Sequence, residues 1–103
     1  MRVELHPDAR AELRAAAIWY DERRFGLGDE FIDEVSLALT QIADMPASFP
    51  VWLGTSTATV NIRRALINRF PYAIAFEAHP AHILVLAISH SKRRPLYWLA
   101  RAF

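Results

Sequence analysis

The chain contains no cysteine. That absence excludes disulfides, thiolate metal sites and a cysteine nucleophile, and it fits a reducing compartment such as the cytoplasm. Glycine is scarce, with three in 103 residues. None of them sits in a phosphate-cradling glycine motif or a Gly-x-Ser-x-Gly elbow, so the sequence supports neither that type of nucleotide binding nor a serine hydrolase. Long apolar runs are also missing. Residues 83–88 are apolar throughout, but six residues are far too few to cross a bilayer, and no membrane association is expected. The opening MRVELHPDAR carries charge where a secretory signal needs an apolar core. With no Cys and no close array of His, Asp and Glu, neither a metal centre nor a cofactor is expected.

What is present belongs to an ordinary globular domain. Hydrophobic residues make up 53% and charged residues 22%, which supplies a core and argues against disorder. The length predicts one domain over residues 1–103. No internal repeat or low-complexity segment is visible.

The net charge of +1 hides an asymmetry. Residues 1–60 hold five Arg against ten Asp or Glu. Residues 61–103 hold seven cations against Glu77 alone, and six of the seven are Arg. An acidic front and a basic back predict one exposed face that gathers guanidinium groups and meets an anion.

Periodicity supplies the architecture. RVEL, residues 2–5, reads as an opening strand. Pro7 suits the first turn of a helix, with Asp8 favourable at its positive end, although His6 makes a weak N-cap. Ala9, Leu13, Ala16, Ala17 and Tyr20 recur on one side, so this helix should run to about Arg24. Gly26 and Gly28 mark a turn. A second helix follows with Phe31, Val35, Ala38, Leu39 and Ile42 on one face, acidic residues in its first turns, and Pro46 as its stop. The short link predicts an antiparallel helical hairpin.

Residues 46–59 read as a loop. Strands are predicted over residues 60–67, with Val60, Ile62 and Leu66 on one side, over residues 72–77, and over residues 83–89. The last is apolar on both faces and therefore central. Short links between these strands imply antiparallel pairing. The expected fold is α+β, a helical hairpin on one face of a twisted antiparallel sheet of three to four strands, with a short C-terminal helix or tail.

The candidate chemistry lies in the basic half. Arg63 and Arg64 are adjacent on a strand and must point to opposite faces. Arg69 lies in the next turn. His90 follows the central strand and, by simple alternation, shares a face with Leu84, Leu86 and Ile88. Lys92, Arg93 and Arg94 come next, then Tyr97 and Arg101, which are four apart and would share a helix face. A His, a Tyr and several Arg could cleave RNA without a metal, by proton transfer and by holding the phosphate. The same set could simply grip a nucleic-acid backbone, with Tyr or Trp stacking on a base. Each also has a structural reading: His90 as a hydrogen-bonding strand end, Tyr97 as an anchor for the tail, Trp19, Trp52 and Trp98 as packing.

Three stretches carry a resemblance. HPDARAELRAAAIWYDERRFGLGDEF, IRRALINRFPYAIAFEA and LAISHSKRRPLYWLAR occur in that order and spacing. Together they resemble the RelE/ParE superfamily of bacterial type II toxins, the group that includes plasmid stabilisation toxins, over nearly the whole chain. The resemblance implies a helical hairpin beside an antiparallel sheet, and a cytoplasmic toxin neutralised by a cognate antitoxin, in an assembly of heterotetrameric size or larger. It also implies one of two targets. RelE-like toxins are ribosome-dependent endoribonucleases that cut mRNA, and their roles would fall on Arg63 or Arg64 and Arg94 as phosphate stabilisers, with His90 or Tyr97 in proton transfer. ParE-like toxins poison DNA gyrase without that set. The His and Tyr beside the Arg residues incline the expectation toward mRNA cleavage. All strand cations here are Arg, which makes poor bases. A third reading is a catalytically silent module that retains only the antitoxin interface.

Overall fold

The computed structural model describes residues 1–55 and 62–102. Strand β1 (Arg2–Leu5) leads into helix α1 (Pro7–Arg23) and helix α2 (Leu27–Asp44). A 3-10 turn (Pro46–Ser48) precedes strands β2 (Ile62–Leu66), β3 (Tyr72–Ala78) and β4 (His82–His90), and a second 3-10 turn (Leu99–Arg101) closes the chain. Val60, where the first strand of the basic half was expected to start, lies outside the described residues, as do residues 56–59 of the expected loop.

The strands form one sheet in the order β1-β4-β3-β2. β2–β3 and β3–β4 are antiparallel as expected. β1 instead lies parallel to β4, with Val3 opposite Ile83, so the sheet is mixed. Everything between the two strands acts as the long crossover that a parallel pair needs. β4 is thereby central, which fits its apolar character on both faces.

Helix α1 begins as its sequence predicts, with Pro7 in the first turn. Its cap is better than expected, because the His6 imidazole Nδ1 accepts the Asp8 N–H at 3.1 Å. Ala9 and Ala16 are buried, and these small side chains let α1 lie close to the sheet. α2 contributes larger anchors: Phe31, Val35, Ala38 and Ile42 are buried, with Leu39 packed beside them.

The hairpin turn depends on two glycines and one carboxylate. Gly26 has φ 89°, a left-handed conformation open to glycine at little cost. Gly28 sits where the helices touch, and a Cβ there would lie 2.3 Å from the Ala17 carbonyl oxygen. Asp21, on α1, accepts the N–H groups of Gly26 and Gly28 at 3.1 and 2.9 Å, so it caps the start of α2 from the neighbouring helix.

The sheet is packed on both sides. Its front face carries Ile74, Phe76, Ile83, Val85 and Ile88 against the two helices. Its back carries Ile62, Ala75, Leu86 and Ala87 beneath Trp98, which is fully buried and meets Trp52 edge-on at 4.9 Å. Leu66, expected beside Ile62, shares that side but is exposed. Pairing shifts register between Ala75 and Phe76, which face Ala87 and Val85. β4 therefore holds one extra residue, Leu86, and its alternation reverses there.

Candidate functional site

A cleft of about 600 Å³ opens between α1 and the end of the sheet where β3 starts and β4 stops. Trp19 and Tyr20 line its helix side, Tyr72 and His90 its sheet side, and Glu12 and Arg93 border it. His90 pairs across the ladder with Tyr72, and their rings meet edge-on at 4.9 Å.

The reversed alternation decides where His90 goes. It shares the front face with Ile88, as expected, but Leu84 and Leu86 belong to the back layer. His90 Nδ1 accepts the Lys92 N–H at 3.0 Å, and its carbonyl accepts the Arg93 N–H at 3.0 Å. The imidazole thus closes the turn after β4, which leaves Nε2 as the nitrogen for any ligand.

Glu12 is the hub beside this cleft. Its two oxygens receive the Arg101 guanidinium at 3.0 and 3.1 Å, the Tyr97 hydroxyl, and the Ile88 N–H at 3.0 Å. Arg101 also donates to the Leu86 carbonyl at 2.9 Å. β1 pairs with β4 only as far as Val85. Glu12 and Arg101 therefore satisfy the edge of β4 where β1 stops, one supplying the acceptor and the other the donor of a missing strand. The fork geometry of guanidinium and carboxylate makes this a strong pair.

That arrangement fixes the state of Tyr97. Burial, reinforced by the hydrogen bond to Glu12, pushes its phenol up to about 12. At neutral pH it is a phenol with its hydrogen committed to a carboxylate. The Arg93 guanidinium lies 3.9 Å from the centre of the Tyr97 ring.

The remaining cations do not gather on one exposed face. Arg63 donates to the Phe49 carbonyl at 2.6 Å and holds the 46–53 segment against β2, where a carboxylate partner was one expectation. Arg64 shares the back side with Ile62 and is exposed. Both lie two strands from β4, roughly 10 Å across the sheet. Arg69, at φ 72°, reaches Glu30 at 2.8 Å and Glu34 at 3.7 Å on α2. The hydrogen bond from Arg69 holds the Glu30 carboxyl below its ordinary range. Arg94 is exposed and makes no ion pair among the described residues. The fold thus places His90 and Arg93 on one cleft, sets Tyr97 beneath Arg93 with its hydroxyl on Glu12, and keeps Arg63 and Arg64 apart from them.

A family model described as the ParE toxin of the type II toxin–antitoxin system parDE matches residues 3–95. The chain belongs to the ParE toxin family. Membership makes it the toxin of a ParDE-type pair and implies a cognate antitoxin as partner. The matched span ends at Pro95, so Tyr97 and Arg101 lie beyond the ParE model. A solved chain from the chromosomal ParDE system of P. aeruginosa superposes with a TM-score of 0.73 at 15% identity. The match covers 89% of this chain and 97% of that one, and at this identity it speaks for the fold alone. No curated protein matches the chain. Among the described residues, no helix is long and apolar enough to cross a membrane.

Sequence reasoning passed over Glu12, the group on which the tail converges. The signal was there, since Glu12 falls in the stripe of Ala9, Ala16 and Tyr20, a carboxylate on an otherwise apolar helix face. Arg93 stood only as one cation of the Lys92–Arg94 run and Trp19 as packing, because nothing local connects either to a cleft.

Proposed function

We propose that this ParE-family toxin poisons DNA gyrase by binding it, and is held silent by its antitoxin. The observation that carries this reading is the separation of the candidate nuclease residues. Metal-free RNA cleavage needs a base, an acid and a phosphate holder within reach of one phosphate. Here the Tyr97 hydroxyl is bound to Glu12. Arg63 is bound to the Phe49 carbonyl and stands two strands away from His90. Family membership supports the same reading.

One observation favours a second reading. His90 and Arg93 share an aromatic-lined cleft, which is the setting a ribosome-dependent mRNA endonuclease would use. Expression without the antitoxin separates the two. Gyrase poisoning predicts DNA breaks, inhibited supercoiling with purified gyrase, and toxicity that survives His90→Ala, Arg94→Ala and Arg64→Ala. Arrested translation with cut mRNA, abolished by His90→Ala in a protein that still folds, transfers the assignment to the endonuclease. Harmless expression overturns both and leaves a silent antitoxin-binding module.

A further inference from the structure

The outer face of the helical hairpin, away from the sheet and from the cleft at His90, carries a second groove of about 390 Å³ between α1 and α2. Its floor is shallow in side chains because Ala17 and Gly28 bring the helices into contact there. Ile18 and Ile32 stand on either side, 55% and 38% exposed, and Phe25 in the adjoining turn is 93% exposed. Aliphatic and aromatic surface at this density marks an interaction site when polar residues rim it.

The rim is acidic throughout. Asp21, Glu22 and Asp29 border the groove, and among the described residues no cation lines it. Asp21 already places a carboxylate at the positive end of α2, where it accepts the N–H groups of Gly26 and Gly28, so negative charge is in place at the helix terminus. Asp29 has no ion-pair partner among the described residues, and Glu22 has only the exposed Arg23 at 3.6 Å. The charge that remains selects a cationic partner, and the acidic front half of the chain would steer it.

A groove between two helices accepts the side-chain ridge of a third. We propose that this groove is a docking site for a cationic amphipathic helix, with one aliphatic side chain entering between Ile18 and Ile32 and flanking Arg or Lys side chains pairing with Glu22 and Asp29. This is the helix-in-groove mode of recognition. It stands apart from the target reading above, because it uses neither the cleft nor the basic tail.

The test uses the full chain and a synthetic amphipathic peptide of about four helical turns, with Leu on one stripe and Arg beside it. Amide shift mapping should centre on Ile18 and Ile32. The double variant Glu22→Gln/Asp29→Asn should weaken binding about tenfold, at about threefold per exposed charge pair. A control with the same change in net charge, Glu4→Gln/Asp44→Asn, should change it less than about twofold. Shifts centred on His90, equal losses in the two doubles, or equal binding of a peptide with Glu in place of Arg would each overturn the proposal. So would sedimentation that finds the groove filled by a second copy of the chain.

Discussion

Tyr97 donates its phenolic hydrogen to Glu12 across 85 positions of sequence, at 2.5 Å. This contact ties the last turn of the chain to the first helix. The carboxylate that receives it also receives Arg101 and the Ile88 N–H. One side chain therefore organises the tail, α1 and the unpaired edge of β4.

Replacing Glu12 should accordingly be among the costliest single changes outside the apolar core. Side chains of Glu12 and Arg101 are 15% and 16% exposed. Removing one member of so buried a pair leaves the other charge unpaired, and Glu12→Ala should cost about 3 kcal/mol. Glu12→Leu combined with Arg101→Leu should cost less than the sum of the single changes, because no lone charge remains. Urea unfolding of the four proteins measures this directly. Additive losses would show that the pair is not coupled.

Tyr97 makes a prediction about alkaline pH. Its folded-state value is about 12 against 10.0 for a free tyrosine. A group whose pKa is raised on folding stabilises the protein below the unfolded value, and that contribution is lost as pH climbs through the folded one. Stability should therefore fall between pH 10 and 12. Tyr97→Phe should flatten that fall while lowering stability at pH 7. Tyr20 and Tyr72 are also shifted upward by burial, so the phenolate absorbance of the wild type should lag a free-tyrosine titration. Tyr97→Phe should remove the last component to titrate, and a curve for the variant unchanged near pH 12 would contradict the arrangement.

Much of the architecture was legible because it rests on local period. The stripe of Phe31, Val35, Ala38 and Ile42 marks α2, and the alternation of Tyr72, Ile74 and Phe76 against Ala73 and Ala75 marks the front face of β3. What stayed hidden is non-local. Nothing in RVEL says that it will lie parallel to β4, since either edge of the sheet could take a four-residue strand. The extra residue at Leu86 broke the simple count that placed Leu84, Leu86, Ile88 and His90 together, because a bulge reverses alternation without changing composition. Charge was the poorest guide. The basic half read as one face, yet Arg63 and Arg64 had to diverge by strand geometry, and the partners of Arg69 and Arg101 lie on helices far away in sequence.

Gly28 offers a test in which the usual sign is reversed. In an ordinary helix Gly→Ala stabilises by about 1 kcal/mol. Here the new methyl would meet the backbone oxygen of Ala17 at 2.3 Å, and a backbone atom cannot swing aside. Gly28→Ala should destabilise by about 3 kcal/mol as the helices are forced apart. Gly26→Ala meets nothing within 4 Å among the described residues, and its left-handed φ should cost about 1 kcal/mol. Thermal unfolding of the pair ranks them, and equal losses would remove the case for close helix contact at Gly28.

Trp98 tests whether the tail is part of the fold or an appendage to it. It is fully buried on the back of the sheet, against Trp52, while the front core lies on the other side of the strands. Trp98→Ala should cost about 4 kcal/mol, in the range of other large-to-small core changes. The loss should also loosen Tyr97 and Arg101, which flank it, and with them the cap on the β4 edge. Hydrogen exchange at the Ile88 amide, whose acceptor is Glu12, should then accelerate more than exchange at Ile74, in the middle of β3. A uniform acceleration would mean that the tail and the sheet unfold as a single unit, and the local latch at Glu12 would have no independent existence.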